Sequence, residues 1–511
     1  MSSSHIFVTR GNLLHIVSDA WLLPTDARLS VTGTWRGADG VGDAPLRLVD
    51  GDGFGRPDRL ARPVEGHWER VPIATAVPLH GVREDRDIEH VRAAVEQFVA
   101  VGAAAVRDPR PDDDHRRLLL AMPSFGTGGG GGAHERGRIL RTLLEAAEAA
   151  AAVADVDVVL VLPDDRSYAL AQRIRRERPE RWSVLPARRE EALRLADLAR
   201  QGALVPFLGA GVSVSAGAPT WRGLIEHLSR GAGLTDAERT ELLDGPRSAL
   251  DQAAILRSRF ERRPNGGRAF RTAIADAVRL ERYGLAPALI ASLRTEQAIT
   301  LNYDSLFEQA SHDAGFARRI IPSGGDEHAK AWLLKLHGSV DDPETIVLTR
   351  DDYLGFNANR ASLSAIVKAN LLTRHLLFVG FGLADDHFHE IVHDVQRALP
   401  ERGRSRATAL TLCDDPLDAE LWQGSLDLVP MASRGTPVED AARELEIFLD
   451  MLAAYADDSH EYLLDDDFAT ILSDDERHLK QMLEPLSAAE AGVRALPAWV
   501  RVQALLDELG A

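Results

Sequence analysis

Short apolar runs recur along this chain, many of them closed by Gly, Asp or Asn-x-Asp, and the stretches between them carry helical spacing. In the first third, "HIFVTRGNLL", "DAWLLPTD" and "VPIATAVPLHG" read as strands. A Gly-, Asp- and Arg-rich region near residues 32–66 reads as loops, and "DIEHVRAAVEQFVAVGAAAV" as an amphipathic helix. "RRLLLAMPSFGTGGGGGAHERGRILRTLLEAAEAAA" predicts strand, glycine loop and helix, and "VDVVLVLPDD" a closing strand. Strands alternating with helices imply an α/β layered domain.

A charged helix, "PARREEALRLADLARQG", then leads into a second series: "ALVPFLG", "EQAITLNYD", "AWLLKLHGSV", "TIVLT", "HLLFVGFG" and "ATALTLCDD". Runs this short and this apolar suit strands buried on both faces, hence a parallel sheet. The pattern divides the chain at about residues 1–187, 188–455 and 456–511. The last piece is acidic and predicted helical, and "DDSHEYLLDDDFATILSDDE" within it reads as a solvated or partner-facing surface.

Composition narrows the function. A chain of 511 residues is too long for one ordinary core. The formal net charge of −19 argues against a broad electrostatic grip on nucleic acid, so direct nucleic-acid binding is not expected. The lone cysteine, Cys413, cannot form an internal disulfide or a multi-cysteine zinc site, which fits a reducing cytoplasm. "MSSSHIFVTRGNLLH" lacks an apolar signal-peptide core. The longest apolar stretch, "LLEAAEAAAAVADVDVVLVL", is interrupted by Glu and Asp, so no membrane span is expected.

The densest chemistry starts at "VPFLGAGVSVSAGAPTW", where an apolar strand runs into Gly209, Ala210 and Gly211, followed by Ser213, Gly217 and Trp221. A strand, a glycine turn and a helix N-terminus together make an anion site; the same residues also suit a plain tight turn. None of the four lysines (Lys330, Lys335, Lys368, Lys480) follows a glycine, so there is no G-K-[ST] phosphate loop. Three later strand ends add polar groups: Asn302 and Asp304 in "TLNYDSLFE", His337 in "LLKLHGSV", and Gly380, Gly382 and Asp385 in "LLFVGFGLADDHF". In an open α/β sheet, ligands sit outside the carboxyl ends of strands, so one crevice is expected to receive all four. Turn chemistry for Asn302 and Asp304, and a structural histidine at 337, are the plainer alternatives.

In that order, G-A-G-x-S-x-x-x-G-x-P, T-x-N-x-D, L-H-G and G-x-G-x-x-D resemble the sirtuin-like NAD-binding domain, over about residues 195–450. The resemblance is closest to the branch found in bacterial anti-phage defence proteins, the Thoeris type included. It implies that Gly209, Ala210, Gly211, Ser213, Trp221, Gly380, Gly382 and Asp385 line the dinucleotide. Asn302, Asp304 and His337 would carry the chemistry: His337 as base, Asn302 orienting water or ribose, Asp304 holding the nicotinamide side or supporting the loop. Protein-deacylating sirtuins use a four-cysteine zinc module that one cysteine cannot build, so hydrolysis of NAD by water is the simpler reaction. His389 and His393 form an H-E-x-x-H match with Glu390, but the helix follows a nucleotide-loop pattern and no third ligand declares itself; no metal is expected.

The first domain resembles the macro domain, a binder of ADP-ribose-like nucleotides, through "RGNLLHIVSDAWLLPTDA" and the loop of Ser124, Gly126, Thr127 and Gly128. Asn12 stands where that family carries its adenine-binding Asp, and "LPTDA" replaces its N-A-A-N stretch, so sensing rather than hydrolysis is implied. A flexible glycine linker is the alternative for Gly128–Gly132. The fold class expected is therefore an α/β macro-like domain, then a Rossmann-like parallel-sheet sirtuin-like domain, then a short helical tail. The function expected is a gated NAD glycohydrolase in anti-phage defence; a non-catalytic NAD or ADP-ribose binding module is the alternative. Expected partners are NAD, an ADP-ribose-like nucleotide and further copies of the chain.

Overall fold

The structure is a computed structural model, and it describes all residues except 1–3, 42–44, 79–80, 108–115, 128–132, 263–265, 323, 383–388, 390–391 and 394–406. It divides into two compact units, one formed by Met1–Arg189 with Asp450–Ala511 and the other by Glu190–Leu449. Among the described residues, no helix is long and apolar enough to cross a membrane.

The first unit is built on six strands: β1 (Ile6–Arg10), β2 (Ala20–Thr25), β3 (Ala61–Pro63), β4 (Val71–Ala76), β5 (Leu119–Pro123) and β6 (Asp157–Leu162). Their order in the sheet is β1-β6-β5-β2-β4-β3, parallel except for the edge pair β3–β4. Every residue of β6 is buried, which is why its sequence after Asp157 is an unbroken apolar run rather than an alternating one; Asp157 itself accepts His5 N at 2.8 Å. Helices Asp85–Arg107 and Arg136–Ala154 lay Val91, Val95, Phe98, Leu140 and Leu143 against the sheet. The stretch around residues 32–66 is not loop throughout, because β3 forms there on the edge.

The acidic tail corrects another expectation. Tyr462, Leu463, Phe468 and Leu472 are buried in the first unit's core, so "DDSHEYLLDDDFATILSDDE" is not a solvated surface. Its carboxylates are the partners of this unit's arginines: Arg166 with Asp465 and Arg173 with Glu476, with Tyr462 Oη donating to Glu476 at 3.1 Å. Residues 456–511 are helical as expected, with segments at Asp466–Ile471, Asp474–Ser487, Ala491–Arg494 and Trp499–Glu508. They group with the first unit rather than forming a piece of their own.

The second unit holds seven strands: β7 (Leu204–Leu208), β8 (Gln297–Thr300), β9 (Arg319–Ile321), β10 (Trp332–Lys335), β11 (His375–Val379), β12 (Ala407–Cys413) and β13 (Asp427–Ala432). All pair in parallel, in the order β13-β12-β11-β7-β8-β10-β9. The chain winds outward from β7 to one side, then returns to start β11 on the other. That reversal opens a crevice at the carboxyl ends of β7 and β11, the usual ligand position in such sheets. Phe207 and Phe378 sit opposite each other in register with ring centroids 4.8 Å apart, filling the core beneath it.

A helical insertion lies between β7 and β8. Its helices Trp221–Gly231, Asp236–Asp244 and Ala249–Glu261 start at Thr220, Thr235 and Ser248, whose hydroxyls accept N–H groups of the first turns. Leu224, Ile225, Leu228, Phe260 and Phe270 make a separate apolar cluster in it. "TIVLT" is not a strand. Its Ile346, Val347 and Leu348 are buried, but the segment leads from a short turn at Pro343–Thr345 into helix Arg350–Thr373, capped reciprocally by Thr349 and Asp352. The edge strands β9 and β13 were not read from the sequence: β9 has only three residues, none of them buried, and β13 carries Pro430 inside its run, with only Met431 and Ala432 buried.

Candidate functional site

A cavity of about 660 Å³ opens at the carboxyl ends of β7, β8, β10 and β11, within the usual range of small-molecule pockets. Its walls include Gly209, Ala210, Gly211, Ser213, Trp221, Asn302, Asp304, His337, Gly380 and Gly382. The residues read from four separated stretches of sequence thus meet around one space. Asp385 lies outside the described residues, as do Glu390 of the H-E-x-x-H match and Gly128.

The glycines answer first to a close crossing of backbones. A Cβ on Gly209 would stand 2.4 Å from Gly380 O, and one on Gly211 would stand 2.8 Å from Gly380 Cα. Gly380 itself has φ +63°, a conformation that side chains disfavour. Gly209 N donates to Val379 O and Gly211 N to Gly380 O, both at 2.9 Å. These two N–H groups therefore join β7 to β11. The open wall that results lets a ligand approach main chain.

Asn302 and Asp304 follow β8. Asn302 N donates to Thr300 Oγ1 at 2.9 Å, and its Nδ2 donates to Gly209 O at 3.0 Å. Asp304 is 8% exposed. Its carboxylate accepts from Ser213 Oγ at 2.9 Å and from Leu306 N at 3.1 Å. Burial raises its pKa above the ordinary range, against the opposing pull of Leu306 N–H and Lys335. Ser213 is thus the joint between the glycine turn and the Asn-x-Asp loop.

His337 follows β10 and is 4% exposed. Its ring meets Tyr353 edge to face, with centroids 5.3 Å apart. Its carbonyl accepts Val347 N at 3.0 Å, so "TIVLT" buttresses the histidine from behind. Gly338, at φ +92°, turns the chain where a Cβ would stand 2.2 Å from Thr345 O.

Trp221 opens its helix and lines the cavity, and its indole Nε1 is buried without a hydrogen-bond partner. The sequence reading did not single out Ser248, Arg350 or Tyr353, which also line the space. Arg350 bonds Asp251 and Ser248, joining the start of helix Arg350–Thr373 to the start of helix Ala249–Glu261. The T-R-D-D run that caps the first of these helices was the available signal. Among the described residues, no group of three or more His, Cys, Asp or Glu side chains is placed to hold a metal ion.

Residues 296–429 match the family model described as SIR2-like domain. The second unit carries a SIR2-like domain. The match takes in Asn302, Asp304, His337, Gly380 and Gly382, while the glycine turn at 209–211 precedes it. This chain is also similar to curated proteins. It is 26% identical over 223 residues to "NAD(+) hydrolase ThsA" of Enterococcus faecium, covering 41% of this chain and 44% of that protein. It is 26% identical over 213 residues to "Defense-associated sirtuin 2" of Bacillus subtilis, covering 40% and 20%. It is 23% identical over 205 residues to "NAD(+) hydrolase ThsA" of Cytobacillus dafuensis, covering 39% of each. The chain therefore spans less than half the length of these relatives. Among solved structures, a mutant of the Oceanobacillus iheyensis macrodomain aligns at 18% identity, with TM-score 0.27, over 34% of this chain and 92% of its own.

Asn12, Ser124, Gly126 and Thr127 belong to the first unit. Asn12 Oδ1 caps the turn after β1 by accepting Leu14 N at 3.0 Å. Ser124 follows β5, which lies two places from β1 in the sheet, with β6 between them. Gly126, at φ +84°, is buried near Val91, Val82 and Ile139. Asn12 and Ser124 thus share the carboxyl edge of the first sheet.

Proposed function

We propose that the second unit hydrolyses NAD+ to nicotinamide and ADP-ribose, and that the chain is a gated effector of defence against phage. The observation that carries this reading is the convergence of the glycine turn, Asn302 and His337 on one cavity at the switch point of a parallel sheet. The relatives' names, NAD(+) hydrolase ThsA and Defense-associated sirtuin 2, support it.

Breaking the bond between ribose C1′ and the pyridinium nitrogen sends the electron pair to that nitrogen. Nicotinamide leaves neutral, and the ribose takes up positive charge. Water adds through its oxygen to C1′ and gives up a proton. His337 is the base for that proton, or for one on a ribose hydroxyl, and passes it to solvent. Asn302 has Nδ2 held by Gly209 O, which leaves Oδ1 as the acceptor that orients the water or a ribose hydroxyl. Both carboxylate oxygens of Asp304 are engaged by Ser213 and Leu306, so its part is to support the loop. The apolar wall of Trp221, Leu224, Leu250 and Phe381 keeps bulk water from the reacting carbon.

In the first unit, Asn12, Ser124, Gly126 and Thr127, with Gly128, would receive an ADP-ribose-like nucleotide whose binding releases the hydrolase. The same reading has the chain in the cytoplasm, where a lone cysteine stays reduced, as a homo-oligomer.

The test is nicotinamide release from NAD+ by the full chain, with and without added ADP-ribose-like nucleotides. His337→Ala and Asn302→Ala are each expected to lose about 10²–10⁴-fold in kcat while remaining folded. Wild type that binds NAD+ but never releases nicotinamide, whatever nucleotide is added, would make the chain a binding module instead.

A further inference from the structure

Lys335 ends β10 and is 1% exposed. Its Nζ donates to Tyr303 O at 3.2 Å, to Asp304 O at 2.6 Å and to Glu308 Oε1 at 2.5 Å. Three donors meet three acceptors, so this ammonium has no proton left for a substrate. Two of the acceptors are main-chain carbonyls of the loop that carries Asn302 and Asp304. The third belongs to helix Leu306–Asp313, which follows that loop.

The register shows what this bond set joins. Lys335 stands opposite Thr300 in the β8–β10 pair, and Leu336 N donates to Thr300 O at 3.0 Å. The two strands leave the sheet side by side, each two residues short of its site residue: Thr300 before Asn302, Lys335 before His337. Beyond Leu336 N, the only further backbone tie between the two exits is Val340 N to Tyr303 O at 2.9 Å, among the described residues. On its other flank the loop is held to the glycine turn by Asn302 Nδ2 on Gly209 O and Ser213 Oγ on Asp304.

We infer that Lys335 is a positioning residue that fastens the β8 loop to the end of β10 and so sets Asn302 relative to His337. Its consequence for catalysis rests on the NAD-cleaving reading above; the anchoring itself does not. Glu308 balances the cation from behind the loop and makes no bond to Asn302 or His337 in this arrangement.

Four variants test this in the full chain: Lys335→Met, Glu308→Gln, the pair Lys335→Met with Glu308→Leu, and Lys335→Arg. Melting temperature, amide hydrogen exchange over residues 301–306, and kcat and KM for NAD+ are read for each. Lys335→Met leaves Glu308 and the Asp304 carbonyl without the ammonium and Tyr303 O with Val340 N alone, so it is expected to lose both melting temperature and activity. The pair removes both charges of the Lys335–Glu308 ion pair. It is expected to regain melting temperature over Lys335→Met, yet to exchange faster than wild type at 301–306 and to lose about 10²-fold in kcat with little change in KM. Glu308→Gln keeps both carbonyl bonds and is expected to keep wild-type kcat and loop protection. Should the pair fail to fold, Lys335→Arg, which restores charge and donors, is expected to recover kcat relative to Lys335→Met. The inference is overturned by a folded pair with wild-type exchange and kcat. It is also overturned if Glu308→Gln loses as much as Lys335→Met, or if Lys335→Arg recovers nothing. If wild type releases no nicotinamide whatever nucleotide is added, the NAD reading fails, and the exchange data alone decide the anchoring.

Discussion

Each unit buries a charged cluster, and the two are balanced in opposite ways. In the first unit a single carboxylate, Asp450, is wholly buried and ringed by donors. His5 Nε2 lies at 2.8 Å, Val8 N at 3.2 Å, Trp182 Nε1 at 3.0 Å and Arg175 Nη1 at 3.0 Å, with Arg175 Nη2 also bonded. Burial alone would raise its pKa, but the Arg175 guanidinium and the His5 ring outweigh that and hold it well below the usual carboxylate range. In the second unit one ammonium, Lys335, lies among two carboxylates, the buried Asp304 and the partly exposed Glu308, and the buried Arg318 guanidinium also attends Glu308. Burial dominates there, and both carboxyl groups are pushed above their ordinary range. The first cluster closes a fold. The second holds the loop that carries Asn302 beneath the cavity. A buried carboxylate thus tells little by itself; the donors around it distinguish a clamp from a support for chemistry.

The largest effect on stability is expected at the clamp. Asp450→Ala leaves Arg175 and His5 enclosed without their anion and should cost the first unit about 3–5 kcal/mol. Urea unfolding followed through tryptophan fluorescence checks this, because Trp182 loses its acceptor in the same variant. A loss no greater than that of an exposed substitution would remove the contrast drawn here. Ser213→Ala comes next. It takes one donor from Asp304 and leaves a buried carboxylate oxygen unmet, for about 1–3 kcal/mol. It should also lower kcat, since the joint between the glycine turn and the Asn302 loop is gone. Unchanged kcat in a destabilised Ser213→Ala would confine the serine to stability.

Much of the second unit was legible in the sequence because its strands are buried on both faces and each ends at a polar or glycine signal. β7, β8, β10 and β11 were all marked by such runs, and the sheet order then brings their ends together. What escaped depends on distance in the chain. Nothing local to "LLKLHGSV" tells that Lys335 turns to carbonyls 31 and 32 residues earlier. "TIVLT" has the composition of a strand but serves as a buried buttress behind His337, which only the neighbouring fold decides. The tail misled because its charges outnumber its apolar residues. Tyr462, Leu463, Phe468 and Leu472 are few, yet they are the residues that the first core buries. In the sequence, the glycines at 209, 211 and 380 stand out for the phosphate they would admit; the structure gives them a prior task in letting two backbones cross.

The smallest effect expected lies in the pH dependence, and it has opposite signs in the two clusters. Asp450 has a lowered pKa in the folded chain, so its contribution is full above the unfolded value of about 3.9 and fades as pH falls below it. Glu308 has a raised folded pKa, so folding favours its protonated form. Its contribution is full below the unfolded value of about 4.3 and is lost as pH rises through the folded value. Each is limited to about 1.4 kcal/mol per pH unit, one proton's worth. Thermal unfolding between pH 3 and pH 6 should therefore respond in opposite senses to two substitutions. In Asp450→Asn the loss of stability on acidification should become shallower than in wild type. In Glu308→Gln, which removes a group that acid favours, it should become steeper. Two substitutions that tilt the profile the same way would mean that both carboxylates are balanced alike, and that the contrast between the two clusters is not real.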